Sequence, residues 1–404
     1  MVRSPVRSRA PRTWLASAWP PMLVVILGYL AVTVVVLRPY DYNPSGPIRI
    51  GDMLPADRFW TEQTLVQPGV GYDGQWFFYL AHDPLLRAPN PETYLDLPAY
   101  RYARILYPTL AWALALGQPA AIPWSLLAVN LLAVLVGALA TFDIVRQLGA
   151  SRWLAVGYAF SPPVLIGVSA SLAEPMALAL VAVGVALAIR GKHWPAGIVL
   201  MLSVLAREPS ILVPVAFGLY ALARLDLRRG LAFLAPLSVP ILWHLTILAR
   251  LGSLPSAQSP SNFGVPFGGA YYRLGLLLGW HAPMLGEPVP TGNVWPEVVI
   301  ILTSAAIVLL GLTKILERRD AFAWVLWLQA LLALGTGPLV WADLYSYGRV
   351  LGLLYFAFGL GLLTHPRRTG QFPASLSEWT MPVPAWTKSL NCRKFPSLRP
   401  LSSR

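Results

Sequence analysis

Apolar residues fall along this chain in long blocks, separated by short polar stretches that mostly carry Arg or Lys. An α-helix needs about 20 apolar residues to cross the hydrocarbon core of a bilayer, within a range of roughly 17–25. The pattern predicts ten crossings, with cores at 20–38, 122–142, 153–171, 174–190, 193–207, 209–224, 230–250, 296–314, 321–341 and 347–365. The expected fold class is therefore all-α, a polytopic transmembrane helical bundle.

Two stretches decide the topology. Ile105 to Leu116 is apolar but only about 12 residues long, which suits an interfacial helix better than a span. The segment 193–224 could be one helix with Arg207 at its middle. Both flanks are basic, which calls for an even number of crossings. Two short helices with a turn at Arg207-Glu208-Pro209 meet that condition, and proline suits the first turn of the second helix.

The expected organisation is one membrane domain over 1–365. A long first outer loop spans about 39–121, and a second outer loop rich in Gly, Pro and Ser spans about 251–295. The piece Tyr271 to Trp280 in the second loop is too short to cross. The tail 366–404 is basic, bears Pro and Ser, shows no periodicity, and is expected to be disordered on the cytoplasmic side. No repeat of fixed period and no soluble domain is evident.

Composition agrees with the pattern. Of 404 residues, 56% are hydrophobic and only 12% are charged, against roughly 25% charged in soluble domains. The single Cys392 excludes an internal disulfide and a cysteine metal cluster. The net charge of +13 suggests nucleic acid until its placement is read. With ten spans, inner segments hold 21 Lys and Arg against 5 Asp and Glu, and outer segments 10 against 13. The excess is a topology signal of the positive-inside kind, and it makes no case for a nucleic-acid partner. The first apolar stretch, Met22 to Leu37, follows Arg3, Arg7, Arg9 and Arg12 without a small-residue cleavage pattern, so it reads as a retained signal anchor.

Polar residues gather in the outer segments. Gly71-Tyr72-Asp73-Gly74-Gln75 is a tight turn that can present a carboxylate, or one in which Asp73 caps a helix beginning near Gln75. Glu174, at the outer start of a helix, either complements the dipole or faces a cavity. Arg207 and Glu208 follow a segment of about 14 residues, roughly 21 Å of helix. They should therefore sit below the outer headgroups, where charges line cavities or pair. Asp343 and Arg349 bracket the last outer turn. At the start of a helix Arg349 should have an anionic partner, a carboxylate or a ligand phosphate, unless it snorkels to the headgroups. No histidine pair has zinc-ligand spacing, and no metal site is expected. No Walker loop, dinucleotide turn or G-x-S-x-G is present.

These residues carry a resemblance. The signal anchor, the long acidic outer loop and the short interfacial helix before the second span resemble the GT-C glycosyltransferases. Gly71-Tyr72-Asp73-Gly74-Gln75-Trp76-Phe77-Phe78-Tyr79 is similar to the G-Y-D-G-Q-aromatic segment of a bacterial subgroup of such proteins. Arg101-Tyr102-Ala103-Arg104-Ile105-Leu106-Tyr107-Pro108, Glu174-Pro175, Arg207-Glu208 and Tyr347-Gly348-Arg349-Val350 match in the same order. The resemblance covers about 15–365. It departs at one point: the Asp-Glu or Asp-x-Asp pair of many GT-C first loops is absent, since Gly74 follows Asp73.

The resemblance implies an enzyme of a bacterial cytoplasmic membrane with its active site facing outward. It would transfer a hexose or pentose from a polyprenyl-phosphate-linked donor to a glycan, lipid or protein acceptor, inverting the anomeric centre. Asp73 is then the general base. Arg207 and Arg349 hold the donor phosphate, and Tyr72, Gln75, Glu174, Glu208 and Asp343 bind or orient substrate. The aromatics at 76–79 are expected to pack on the sugar or prenyl chain. No cofactor is called for, and whether a divalent cation assists stays open. The alternative class is a transporter or flippase for a lipid-linked saccharide, which requires polar groups through the whole membrane depth. The inner halves of the helices are nearly free of acidic residues.

Overall fold

The computed structural model describes residues 11–282, 292–317 and 320–364. The basic arm with Arg3, Arg7 and Arg9, the pair Arg318 and Arg319, and the tail 366–404 with Cys392 lie outside these residues.

The described residues are mostly helical. The helices are α1 (Pro11–Leu37), α2 (Gly74–His82), α3 (Pro98–Tyr102), α4 (Leu106–Leu114), α5 (Ile122–Gln147), α6 (Leu154–Ala159), α7 (Pro162–Ser169), α8 (Glu174–Ile189) and α9 (His193–Ala206). They continue with α10 (Leu212–Ala223), α11 (Leu227–Leu234), α12 (Ser238–Leu251), α13 (Gly268–Leu277), α14 (Trp295–Glu317), α15 (Ala321–Leu334), α16 (Leu344–Val350) and α17 (Gly352–Leu363). Between α1 and α2 the chain also forms one small two-stranded parallel sheet. Its strands are β1 (Ile50–Gly51) and β2 (Val66–Gln67), with Ile50 opposite Val66.

Among the described residues, four helical stretches are long and apolar enough to cross a membrane: Ser17–Tyr40, Pro119–Gln147, Leu227–Leu251 and Trp295–Thr313. The bent pair α16 and α17, turned by 47°, makes a fifth if it counts as one span. The chain is thus a helical protein compatible with integration into a bilayer. Two-thirds of the α5 span (67%) is buried by other helices, against 28% for each of the other three. So α5 is central, and α8 packs against both it and α9. The other three spans present open apolar faces, such as Leu27, Leu30 and Val35 on α1 and Ile241, Leu242 and Leu245 on α12. Such faces are stable where hydrocarbon replaces water.

The structure departs from the expected ten spans in specific places. The stretch 153–171 is two short helices, broken where Ser161 takes extended backbone (φ −67°, ψ 149°) before Pro162 and Pro163. A residue ahead of proline is pushed out of the α region. The stretch 321–341 ends its helix at Leu334, before Gly335 and Gly337. The helices Glu174–Ile189, His193–Ala206, Glu208–Ala223 and Ala321–Leu334 are apolar but shorter than a straight crossing. As expected, the segment 193–224 breaks at Arg207, whose backbone is extended (φ −158°, ψ 123°). Helix α4 has 9 residues, about 14 Å of helix against a core of about 30 Å.

Two loop structures position the site. Helix α2 is buried from Gly74 to Ala81. Its aromatic run therefore packs inward, with Phe77 edge-on to Tyr107 at 5.2 Å. The segment between α12 and α14 is pinned by a bridge between Phe263 and Thr336. It is also held by Arg273, whose guanidinium donates to Glu297 at 2.8 and 3.2 Å and to the Ala342 carbonyl at 2.6 Å.

Candidate active site

The turn that carries Asp73 is built by its glycines. Gly71 has φ +72°, and a Cβ there would lie 2.6 Å from Gly51 N and 2.7 Å from Arg49 O. A Cβ on Gly74 would lie 2.4 Å from the Ala170 carbonyl oxygen and 2.8 Å from that of Ile48. The turn therefore presses directly on the chain between α7 and α8. That contact brings residue 73 to the amino end of α8, where Glu174 stands.

Asp73 occupies the N-cap position of α2, yet its side chain makes no capping hydrogen bond. Instead Oδ1 accepts from Arg101 Nη1 at 3.1 Å, and Oδ2 accepts from Arg349 Nη2. Arg101 also grips Asp96, through Nε at 2.8 Å and Nη2 at 2.7 Å. The Arg101 guanidinium lies 4.9 Å from the Trp76 ring centroid. Arg349 Nη1 lies 3.7 Å from Glu174 Oε1, and its guanidinium stands 5.5 Å from the Tyr72 ring. Glu174 is only 2% exposed and is approached by Arg207 Nη1 at 3.0 Å. That contact is an ion pair in distance but lacks hydrogen-bond alignment: neither Glu174 oxygen has a hydrogen-bonded partner.

Asp73, Glu174, Arg207 and Arg349 therefore converge. Arg349 does not start the last helix as the sequence suggested. The helix breaks at Leu351, and Arg349 lies in the last turn of α16, where the dipole favours a cation. Arg207 and Glu208 do not pair with each other. Arg207 turns to Glu174, and Glu208 takes Arg104 Nε on both oxygens, at 3.1 and 2.9 Å. Arg104 also donates to the Tyr100 hydroxyl, which accepts from Asn262 Nδ2 at 3.2 Å. The cluster is thereby tied to the segment between α12 and α13.

Two expected substrate residues have structural partners. Gln75 is buried; its Oε1 accepts from Gly51 N at 3.1 Å and its Nε2 donates to the Val70 carbonyl at 2.7 Å. The amide staples the loop. Asp343 caps α16 by accepting from Ser346 N at 2.7 Å. Conversely, Arg101 and Arg104 entered the sequence reading only as part of a motif. Arg101 lies in the last turn of α3 and Arg104 in the turn after it, so no helical spacing marked them as members of the cluster.

Electrostatics follow from this enclosure. Burial alone would raise the Asp73 carboxyl, but the Arg349 and Arg101 charges outweigh it and hold the group well below the usual carboxylate range. Burial pushes the Tyr72 phenol up to about 12, against the pull of Arg349, so it stays protonated. Its hydroxyl is buried without a partner, as is Nε of Arg349. Buried polar atoms in native proteins are rarely left unpaired; here Arg349 and the two side chains beside it, Tyr72 and Glu174, each carry at least one. Among the described residues no group of three or more metal-ligating side chains occurs.

Comparison with protein-family models, curated proteins and solved structures finds no match to this chain.

Proposed function

We propose that this protein is an integral-membrane glycosyltransferase that moves a sugar from a polyprenyl-phosphate donor to an acceptor on the non-cytoplasmic side of a bacterial inner membrane. The reading adopts the ten-span topology and the GT-C resemblance. One observation carries it: Asp73, Glu174, Arg207 and Arg349, drawn from four separate segments, meet as a largely buried charged cluster with unpaired polar atoms. Charged groups beside apolar helices are costly and mark functional sites by default.

In this reading the acceptor hydroxyl attacks the anomeric carbon and gives its proton to Asp73. The bond from that carbon to the phosphate oxygen breaks, and the phosphate keeps the electron pair. Arg349 and Arg207 bind its oxygens through their planar forks. Glu174 and Glu208 hold Arg207 and Arg104 in place. The test is Asp73→Asn in purified protein, with transfer measured from a polyprenyl-phosphate sugar. Turnover should fall by about 10²–10⁴, the range of general acid–base catalysis. A folded variant with full transfer overturns the proposal.

A further inference from the structure

The Asp73 carboxylate holds two guanidinium N–H groups of the kind that bind a phosphate oxyanion. Its oxygens take one N–H from Arg101, at 3.1 Å, and one from Arg349. A phosphate uses the same donors in the same manner, so carboxylate and phosphate compete. Clasped in this way, the carboxylate is also a poor base, because a base works best with its pKa near the operating pH. The site as it stands is closed to the reaction assigned to it.

Both arginines have capacity left. Arg101 spends only Nη1 on Asp73, since Nε and Nη2 are held by Asp96 at the rim. Arg349 keeps a buried Nε–H with no acceptor and has Glu174 within 3.7 Å as a second anion. Neither arginine would be stranded if Asp73 let go. Nor is the Asp73 side chain held by a helix cap.

We infer that the phosphate of the lipid donor displaces the Asp73 carboxylate from Arg349 and Arg101, so that the base is released only once the donor is in place. This rests on the transferase reading above. Loading the donor then arms the site, and an empty site does not activate water or a stray hydroxyl.

The experiment uses the full chain in nanodiscs and measures equilibrium binding of farnesyl phosphate. Asp73→Asn keeps the shape and removes the competing charge. It is expected to bind about tenfold tighter than wild type, within the usual span of coupling between two ligands. Asp96→Asn, at the rim, is expected to bind as wild type does. Unchanged or weaker binding by Asp73→Asn overturns the displacement and leaves the lipid-phosphate reading standing. An equal gain for Asp96→Asn also overturns it, since net charge alone would then explain the effect. No binding by either protein overturns the displacement and the transferase reading together. Inorganic phosphate run in parallel separates the sources: binding as tight as that of farnesyl phosphate overturns the lipid donor. A second measurement needs no variant. A carbodiimide attacks protonated carboxyls, so Asp73 should be labelled in wild-type protein only when farnesyl phosphate is present. Equal labelling with and without the lipid overturns the displacement.

Discussion

Asp73 and Arg349 stand 276 positions apart in the chain and meet as an ion pair. The pair ties the start of α2 to α16, just before the last helix. Arg349 gains an anionic partner although its place at the end of α16 does not demand one, and the Asp73 side chain makes this contact instead of a helix cap. The pair shares Glu174 and Arg207 with the amino end of α8 and the break after α9. Four segments are thus fixed to one another by charge.

Arg349 should be intolerant even of lysine. An ammonium has no planar fork and cannot reach Asp73 and Glu174 together. Arg349→Gln should lower the transfer rate by about 10²–10³, as removal of one donor to a developing oxyanion does. Arg349→Lys should also fall well below wild type. Single-turnover assays with a polyprenyl-phosphate sugar would decide; full activity in the lysine variant would reduce the residue to a structural counter-ion.

The depressed Asp73 carboxyl makes a statement about stability and pH. A carboxyl whose folded pKa is lowered contributes stability that is fully present above its unfolded value and lost as pH falls through the folded one. The unfolded value is close to 3.8. Wild type should therefore outlast Asp73→Asn by a constant margin above about pH 5, and the margin should shrink below pH 3.8. Melting curves of both proteins in the same detergent across that range test it. A margin that widens on acidification would contradict the ion-pair account.

Gly74→Ala isolates the turn from the charge. Its Cβ would meet the Ala170 carbonyl oxygen at 2.4 Å, and backbone must move to admit it. Overpacking of this kind costs about 1–3 kcal/mol. The variant should melt lower and lose transfer activity with every charged residue intact. Wild-type activity in Gly74→Ala would show that the close packing of this turn does not set the position of Asp73.

The parts of this architecture legible from sequence were those with a local cause. The turn at Arg207-Glu208-Pro209 and the shortness of 105–116 follow from charge, proline and length, and both recur in the structure. The break at Ser161 was equally local, with two prolines after it, but the apolar run masked it. Partnerships were not legible. Glu208 read as lining a cavity or pairing, with no partner beyond its neighbour in view, and it joins Arg104, 104 positions away. Nothing in the local pattern ranks such distant partners. For the same reason Gln75, beside Asp73 in sequence, reads as a site residue and is spent on the Gly51 and Val70 backbone.

Topology gives the last prediction, between positions 90 and 151. In the ten-span reading one crossing, α5, separates Asn90 from Ser151. Counting Leu106–Leu114 as another would return both to the same side. Charge opposes the second arrangement, because it would move Arg146, Arg152 and most later basic loops outside, against the positive-inside bias. Length opposes it as well, since a helix of 9 residues covers about half of the hydrocarbon core. Asn90 and Ser151 are both exposed, so cysteines there can report. In a Cys392→Ser background, Asn90→Cys should react with a membrane-impermeant maleimide in intact cells. Ser151→Cys should react only after the membrane is opened. Labelling of both from outside would add a crossing between them and invert every later segment. Arg207 and Arg349 would then face the cytoplasm, and the proposal of an outward-facing transferase would fall with the topology.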